Sequence, residues 1–198
     1  MKIALIVLGI IALLMVVFQI YTTMATNKSE KQPYEVIQKE EGFEIRYNPS
    51  ATMATINSSA KTFKELGSSS FVKLASYIFG GNKDKEQIAM TSPVHMEIGD
   101  TSACMSFVMP SNYTKDNLPI PNNADVTIQT TSNEYVAAIS FGGFASQEDI
   151  DLHIHLLEIA LKKKQIQYHG RFRFLGYNPP YQLFGRINEI IVAIDWDK

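Results

Sequence analysis

The side chains best suited to chemistry crowd into one short stretch, "IAMTSPVHME". On an extended strand, alternation puts Met90, Ser92, Val94 and Met96 on one face and Thr91, Pro93, His95 and Glu97 on the other. Methionine is soft and adaptable, so a pair of them packs well against a large flat ring system. Filling an ordinary core is the competing use. His95 is the obvious candidate metal ligand here. Its place beside Glu97, opposite the methionines, predicts a solvated position. Pro93 removes a ladder donor and predicts an edge, a bulge or a strand end.

No catalytic constellation accompanies these residues. Cys104 is the single cysteine, which excludes an internal disulfide and a thiolate zinc site. It lies beside Met105 with no histidine adjacent in sequence to activate it. Glu40 and Glu41 belong to a turn. Glu148, Asp149 and Asp151 are explained by a helix N-terminus, which favours negative charge. His153 and His155 share one helix but point about 200° apart, a poor chelate. His169 sits in a polar turn. The formal net charge of −2 supplies no basic excess for a phosphate backbone, so no nucleic-acid partner is expected. Apolar residues make up 45% of 198 residues, enough for a packed domain and something extra.

The extra part comes first. "IALIVLGIIALLMVVF" is apolar without a break from Ile3 to Phe18, and the run resumes after Gln19 with Ile20. Eighteen helical residues reach roughly 27 Å, close to a ~30 Å hydrocarbon core. Residues 1–21 therefore read as a transmembrane anchor. A cleaved signal peptide is the rival reading, although its apolar region is usually about 7–15 residues. Lys2 favours a cytoplasmic N-terminus, which would put the rest of the chain on the outer, periplasmic or extracytoplasmic side. Residues 22–33 are polar and aperiodic and read as a linker. A domain is expected over 34–198.

The elements of that domain follow from period and punctuation. "YEVIQKEEGFEIRYN" predicts a hairpin turning at Glu41-Gly42, and "ATMATI" a third strand. From Ala60 the period becomes helical: Phe63, Leu66, Ser70, Leu74 and Tyr77 share a stripe, with Phe71 and Ile78 beside it, and Gly80-Gly81 ends it. "QIAMTSPVHMEI" and "ACMSFVMP" predict strands. "DVTIQTTSNEYVAAISF" predicts a second hairpin turning at Ser132-Asn133. A second helix over "SQEDIDLHIHLLEIALKKKQ" has Ser146 as cap, acids in its first turn and lysines in its last. "RFRFLGYNPPYQL" and "NEIIVAI" close the chain as strands. The order of elements runs through twice, which predicts an α+β domain of two duplicated β-α-β-β-type halves. Their sheets would join into one curved antiparallel sheet with both helices outside.

Three stretches carry a family resemblance: "YEVIQKEEGFEIRYNP", "YIFGGNKDKEQIAMTSPVHMEI" and "FLGYNPPYQL…RINEIIVAI". In order and spacing the chain resembles the SOUL haem-binding protein family from Tyr34 to Ile194. The resemblance implies a distorted antiparallel barrel of eight or so strands flanked by two helices, with a hydrophobic cleft that takes tetrapyrroles. The same fold is similar to effector-binding domains of some bacterial regulators, which hold small amphipathic molecules.

With that ligand class implied, the candidate contacts for a haem or porphyrin are Met90, Met96, His95, Phe71, Tyr77, Tyr177, Tyr181 and Phe184. Tyr177, Tyr181 and Phe184 surround the two prolines of "GYNPPYQLF", which the resemblance places at the lip of the cleft. Aromatic rings there would stack on a porphyrin or stiffen the loop. Lys64, Lys73, Arg171 and Arg173 are candidate partners for propionates. The expected protein is a membrane-anchored tetrapyrrole binder, for haem buffering or transfer, without enzymatic activity and without a bound metal of its own. The alternatives are an effector-binding module indifferent to haem and an enzyme acting on an apolar compound.

Overall fold

The structure, a computed structural model, describes residues 2–99 and 102–196. It has three helices, α1 (Lys2–Lys28), α2 (Phe63–Ile78) and α3 (Gln147–Lys164). The strands are β1 (Glu35–Lys39), β2 (Glu44–Asn48), β3 (Thr52–Ser58), β4 (Val94–Ile98), β5 (Ala103–Val108), β6 (Val126–Thr130), β7 (Glu134–Gly142), β8 (Tyr168–Gly176) and β9 (Ile187–Ile194).

The caps lie where the sequence signals put them. Thr62 accepts from the Glu65 amide to open α2. Ser146 and Asp149 form a reciprocal capping box at the start of α3. Gly80 stops α2 with a φ of +97°, and Gly42 turns the first hairpin with a φ of +89°, both left-handed values that glycine adopts at little cost.

All nine strands form one antiparallel sheet in the order β1-β2-β7-β9-β8-β4-β5-β3-β6. Exchange β2 with β6, β3 with β7, β4 with β8 and β5 with β9, and the order from β2 to β6 reads the same from the other end. The sheet is not closed into the expected barrel: among the described residues no ladder joins β6 to the β1–β2–β7 side. It is nevertheless strongly curled. β6 and β7 stand six strand spacings apart, about 29 Å on a flat sheet. Only residues 131–133 join them, and so short a link reaches at most about 15 Å. The predicted hairpin at Ser132-Asn133 is therefore a crossover: β6 pairs with β3, whereas β7 pairs with β2 and β9. The alternating pattern identified both strands, but each buries its apolar face against a non-sequential neighbour.

Register sorts the side chains onto two faces. Met96 stands opposite Met105 and Phe174, and Phe174 opposite Ile190. Both helices cover this face: α2 packs on β3–β6, α3 on β7–β9, and Met96 touches the apolar clusters under both. Leu66, Leu74, Leu157 and Leu161 are fully buried there. Each such side chain contributes about 1.5–3 kcal/mol by leaving water. The other face carries His95 opposite Leu175 and Ser106, then Glu189 opposite Leu175 and Ser140. Among the described residues neither α2 nor α3 packs on it, yet His95, Ser106, Glu189 and Arg46 are buried, and the segment after α1 lies over it with Gln32 on His95 and Tyr34 on Arg46.

Two further expectations change. The stretch expected as a linker over 22–33 is helical as far as Lys28, and then Gln32 and Glu30 bond to the backbone of Ser92 at 2.8 and 2.9 Å. The strand expected over 87–98 is paired as a ladder only from Val94, directly after Pro93, so Met90 lies outside it.

Candidate functional site

Chain segments from both ends of the molecule converge at one end of the sheet. After Gly176 the chain leaves β8 and returns into β9 at Ile187, and this loop of residues 177–186 is tied internally by three polar side chains. Arg186 donates to the carbonyls of Pro179 at 2.6 Å and Gln182 at 2.9 Å. Gln182 donates to the Phe184 carbonyl at 2.9 Å, and Asn178 accepts from the Ile187 amide at 2.7 Å. Two prolines stiffen the rest.

The loop is also fastened to α1. The Gln19 side chain donates to the Tyr181 carbonyl at 3.0 Å and accepts from the Leu183 amide at 2.9 Å. Thr26 donates to the Gln182 side chain at 2.9 Å. The rings of Phe18 and Tyr181 lie 5.9 Å apart. Between loop and helix runs an open groove of about 450 Å³. The helix lines it with Met15, Val16, Gln19, Ile20, Thr23 and Met24, and the loop with Leu183 and Phe184. Tyr181 and Phe184 are 55% and 71% exposed.

The inside of the curl is different in kind. A small pocket of about 10 Å³ there is lined by Gln32, Tyr34, Tyr177 and Glu189. The same interior holds a polar cluster. Arg46 donates through two guanidinium nitrogens to Glu189, at 3.0 and 2.9 Å. Glu189 also accepts from the Tyr177 hydroxyl at 2.7 Å and from Ser140 at 2.8 Å. Tyr34 lies against the Arg46 guanidinium, 4.1 Å from ring centroid to Cζ. Burial alone would push the Glu189 carboxyl up, but the Arg46 bonds and charge outweigh it and hold it below its ordinary value. Burial and the neighbouring Glu189 charge push the Tyr177 hydroxyl up.

The predicted contacts fall into four places. Phe184 lines the groove, and the Tyr181 ring packs on α1 through Phe18. Tyr177 belongs to the polar cluster and not to the lip. Met96 and Met90 pack under α2, and Tyr77 is a core residue, 1% exposed, whose hydroxyl donates to the Pro119 carbonyl at 2.9 Å. Phe71 sits at the flank of α2, 38% exposed and edge-on to the buried Phe107 at 5.3 Å.

His95 is not solvated. It is 6% exposed, and Nε2 lies 2.6 Å from the Gln32 amide oxygen, because the segment after α1 crosses over this end of β4. Burial, aided by the Arg173 charge, pushes its pKa down to about 3, so the ring is neutral at physiological pH.

Of the candidate cations, Arg173 is committed to Glu134 through two bonds of 2.8 Å and Lys73 to Asp125 at 2.7 Å. Arg171 reaches Glu97 at 3.4 Å, and Lys64 is exposed on α2. His153 stacks on Phe141 at 3.9 Å, and His155 faces Glu158.

Sequence reasoning passed over Gln19, Gln182, Arg46 and Glu189. Gln19 alone left a signal, as the one polar residue interrupting an apolar run. Arg46 and Glu189 gain each other from strands 143 residues apart, and Gln182 gains Thr26 from α1.

An α+β domain with a single curled antiparallel sheet and two helices on one face is an architecture found in other solved proteins. The EcmrR C-terminal domain matches with a TM-score of 0.58 at 9% identity, over 78% of this chain and 98% of that one. A hydrolase from Listeria innocua matches with a TM-score of 0.56 at 6% identity, over 80% and 94%. These likenesses are of fold alone. In sequence, residues 29–193 match the family described as SOUL heme-binding protein, and the chain belongs to that family. Similar curated proteins are Heme-binding protein 2 of Mus musculus, 29% identical over 82% of each chain, and Heme-binding protein 1 of Xenopus laevis, 28% identical over 75% of this chain and 81% of that one.

Proposed function

We propose that this protein is a membrane-anchored haem- or tetrapyrrole-binding protein that buffers or transfers its ligand at the outer face of the cytoplasmic membrane. Family membership and the names of the similar proteins support the ligand class. The observation that carries the binding mode is the groove between α1 and the loop of residues 177–186. Its volume of about 450 Å³ falls within the ~300–1,000 Å³ usual for small-molecule sites, and its lining is almost wholly apolar. A flat macrocycle laid there would exchange water for methionine, aliphatic and aromatic surface. The pocket beneath Tyr34 and Tyr177, at about 10 Å³, is far too small for one.

α1 is long and apolar enough to cross a membrane, which supports the anchor. We read the protein as a binder and not a catalyst, since Glu189, Arg46, Tyr177 and His95 are each satisfied by a protein partner. The test is a haem titration of the full chain in detergent or nanodiscs, followed at the Soret band. Saturable binding that weakens in Phe184→Ala and Met24→Ala is expected. No Soret change at micromolar haem would sink the function, and binding indifferent to both substitutions would sink the groove.

A further inference from the structure

The loop of residues 177–186 has a chemistry at odds with a water-facing surface. From Tyr177 to Gly185 it contains no charged residue. Three of its polar side chains are turned inward: Gln182 and Arg186 donate to its own backbone, and Asn178 accepts from the Ile187 amide where the loop enters β9. Its apolar side chains point out: Phe184 is 71% exposed and Leu183 52%. Beside it stands Phe144, also exposed, with the Arg186 guanidinium 4.3 Å above its ring. Inward-bonded polar side chains and outward apolar ones suit hydrocarbon, because nothing there replaces a lost hydrogen bond to water.

The level of the loop along α1 leads to the same place. A ~30 Å core entered at Ile3 ends about twenty residues later, near Thr23. Leu183 and Phe184 share the groove with Met15 and Val16, which lie roughly 10 Å inside that boundary at about 1.5 Å per residue. Gln19 lies inside it too. A free amide there would be costly, yet the loop takes up both its donor and its acceptor.

We infer that the loop of residues 177–186 dips into the lipid leaflet on the domain's side, with Leu183 and Phe184 against acyl chains. This rests on the reading of α1 as a membrane span. The groove then opens sideways into the bilayer, and an amphipathic ligand dissolved in that leaflet reaches it without crossing water. The partner of this surface is the lipid itself.

Tryptophan fluorescence in phosphatidylcholine vesicles with brominated acyl chains tests the placement. The native Trp196 lies beyond the far end of β9, a strand of eight residues spanning roughly 26 Å from the loop side. In the unaltered full chain its emission should survive the brominated lipid. In a Trp196→Phe background, Phe184→Trp should emit at shorter wavelength and lose most of its emission to bromine. Leu183→Trp in the same background is the second reporter, and Leu13→Trp marks the anchor. Quenching at 13 and at 184 or 183 bears the inference out. Quenching at 13 with none at either loop position overturns it and leaves the anchor standing. No quenching at any of the three overturns the anchor and the inference together.

Discussion

Arg46 and Glu189 meet side by side, Nη1 to Oε2 at 3.0 Å and Nη2 to Oε1 at 2.9 Å, with each side chain only 5% exposed. They come from β2 and β9, strands separated in the sheet by β7. Tyr177 and Ser140 add two more donors to the same carboxylate, which is what makes a buried charge tolerable. Glu189→Ala leaves both terminal guanidinium nitrogens of Arg46 buried without their carboxylate, and only the Nε bond to Glu44 at 2.9 Å remains. Denaturant unfolding should show a loss of about 3–5 kcal/mol. A loss under about 1 kcal/mol would mean that Arg46 finds water when its partner is removed.

The same pair governs one part of the acid response. The Glu189 carboxyl is held below its ordinary value in the folded protein. Its contribution is therefore complete above the unfolded glutamate value of about 4.3 and is lost as pH falls beneath it. Glu189→Gln should remove that step from a plot of stability against pH.

His95 contributes an earlier step. Its pKa is pushed from 6.5 down to about 3 by burial and by the Arg173 charge, so folding favours the neutral ring. That contribution is whole above about 6.5 and erodes as pH falls from there toward 3. Between pH 7 and pH 5 the folded state should lose about 2 kcal/mol. His95→Gln should flatten this interval, measured by chemical denaturation at each pH. An unchanged slope would show that the imidazole is protonated in the folded protein.

The same burial makes His95 a poor axial ligand, since iron would have to displace Gln32 from Nε2. Haem affinity in His95→Gln should stay within about tenfold of the unaltered chain, no more than ~1.4 kcal/mol. Complete loss of binding, with the circular dichroism spectrum unchanged, would make His95 the ligand after all.

Metal-free porphyrin extends that reasoning. Burying about 300 Å² of macrocycle at ~25 cal/mol per Å² contributes roughly 7 kcal/mol before the costs of association. Protoporphyrin IX should then bind within about tenfold of haem. Phe184→Ala and Met24→Ala should weaken both ligands alike. Binding of haem without binding of the free porphyrin would require a coordinating side chain.

Tyr77 separates core from site. Removing its hydroxyl in Tyr77→Phe leaves the buried Pro119 carbonyl without its donor and should cost about 1–2 kcal/mol of stability. Haem affinity should not move, because the ring packs under α2 and borders no groove. A parallel fall in haem affinity would place the ligand near α2 instead.

Local patterns in the sequence determined the elements. The anchor-length helix follows from an apolar run, α3 from Ser146 and Asp149 at its start and lysines at its end, and the first hairpin from alternation around Gly42. These signals lie within a few residues of each other, so the chain states them directly. What the strands paired with was decided only by the tertiary structure. Alternation in "DVTIQTTSNEYVAAISF" is the same whether β6 and β7 face each other or stand six spacings apart, and burial against β3 and β9 chose the second. His95 illustrates the same division. Its period placed it opposite Met96, correctly, but whether that face met water depended on where Gln32 crossed, 63 residues earlier in the chain. The site divides in the same way. That Tyr181 and Phe184 flank two prolines was legible in the sequence, and their place at a lip came from the family resemblance. Gln19, which bonds to the backbone of Tyr181 and Leu183, lies more than 160 residues away, and only the docking of α1 on the loop brings them together. Spacing along a chain encodes contacts within an element, whereas contacts between elements are set by which apolar faces exclude water together.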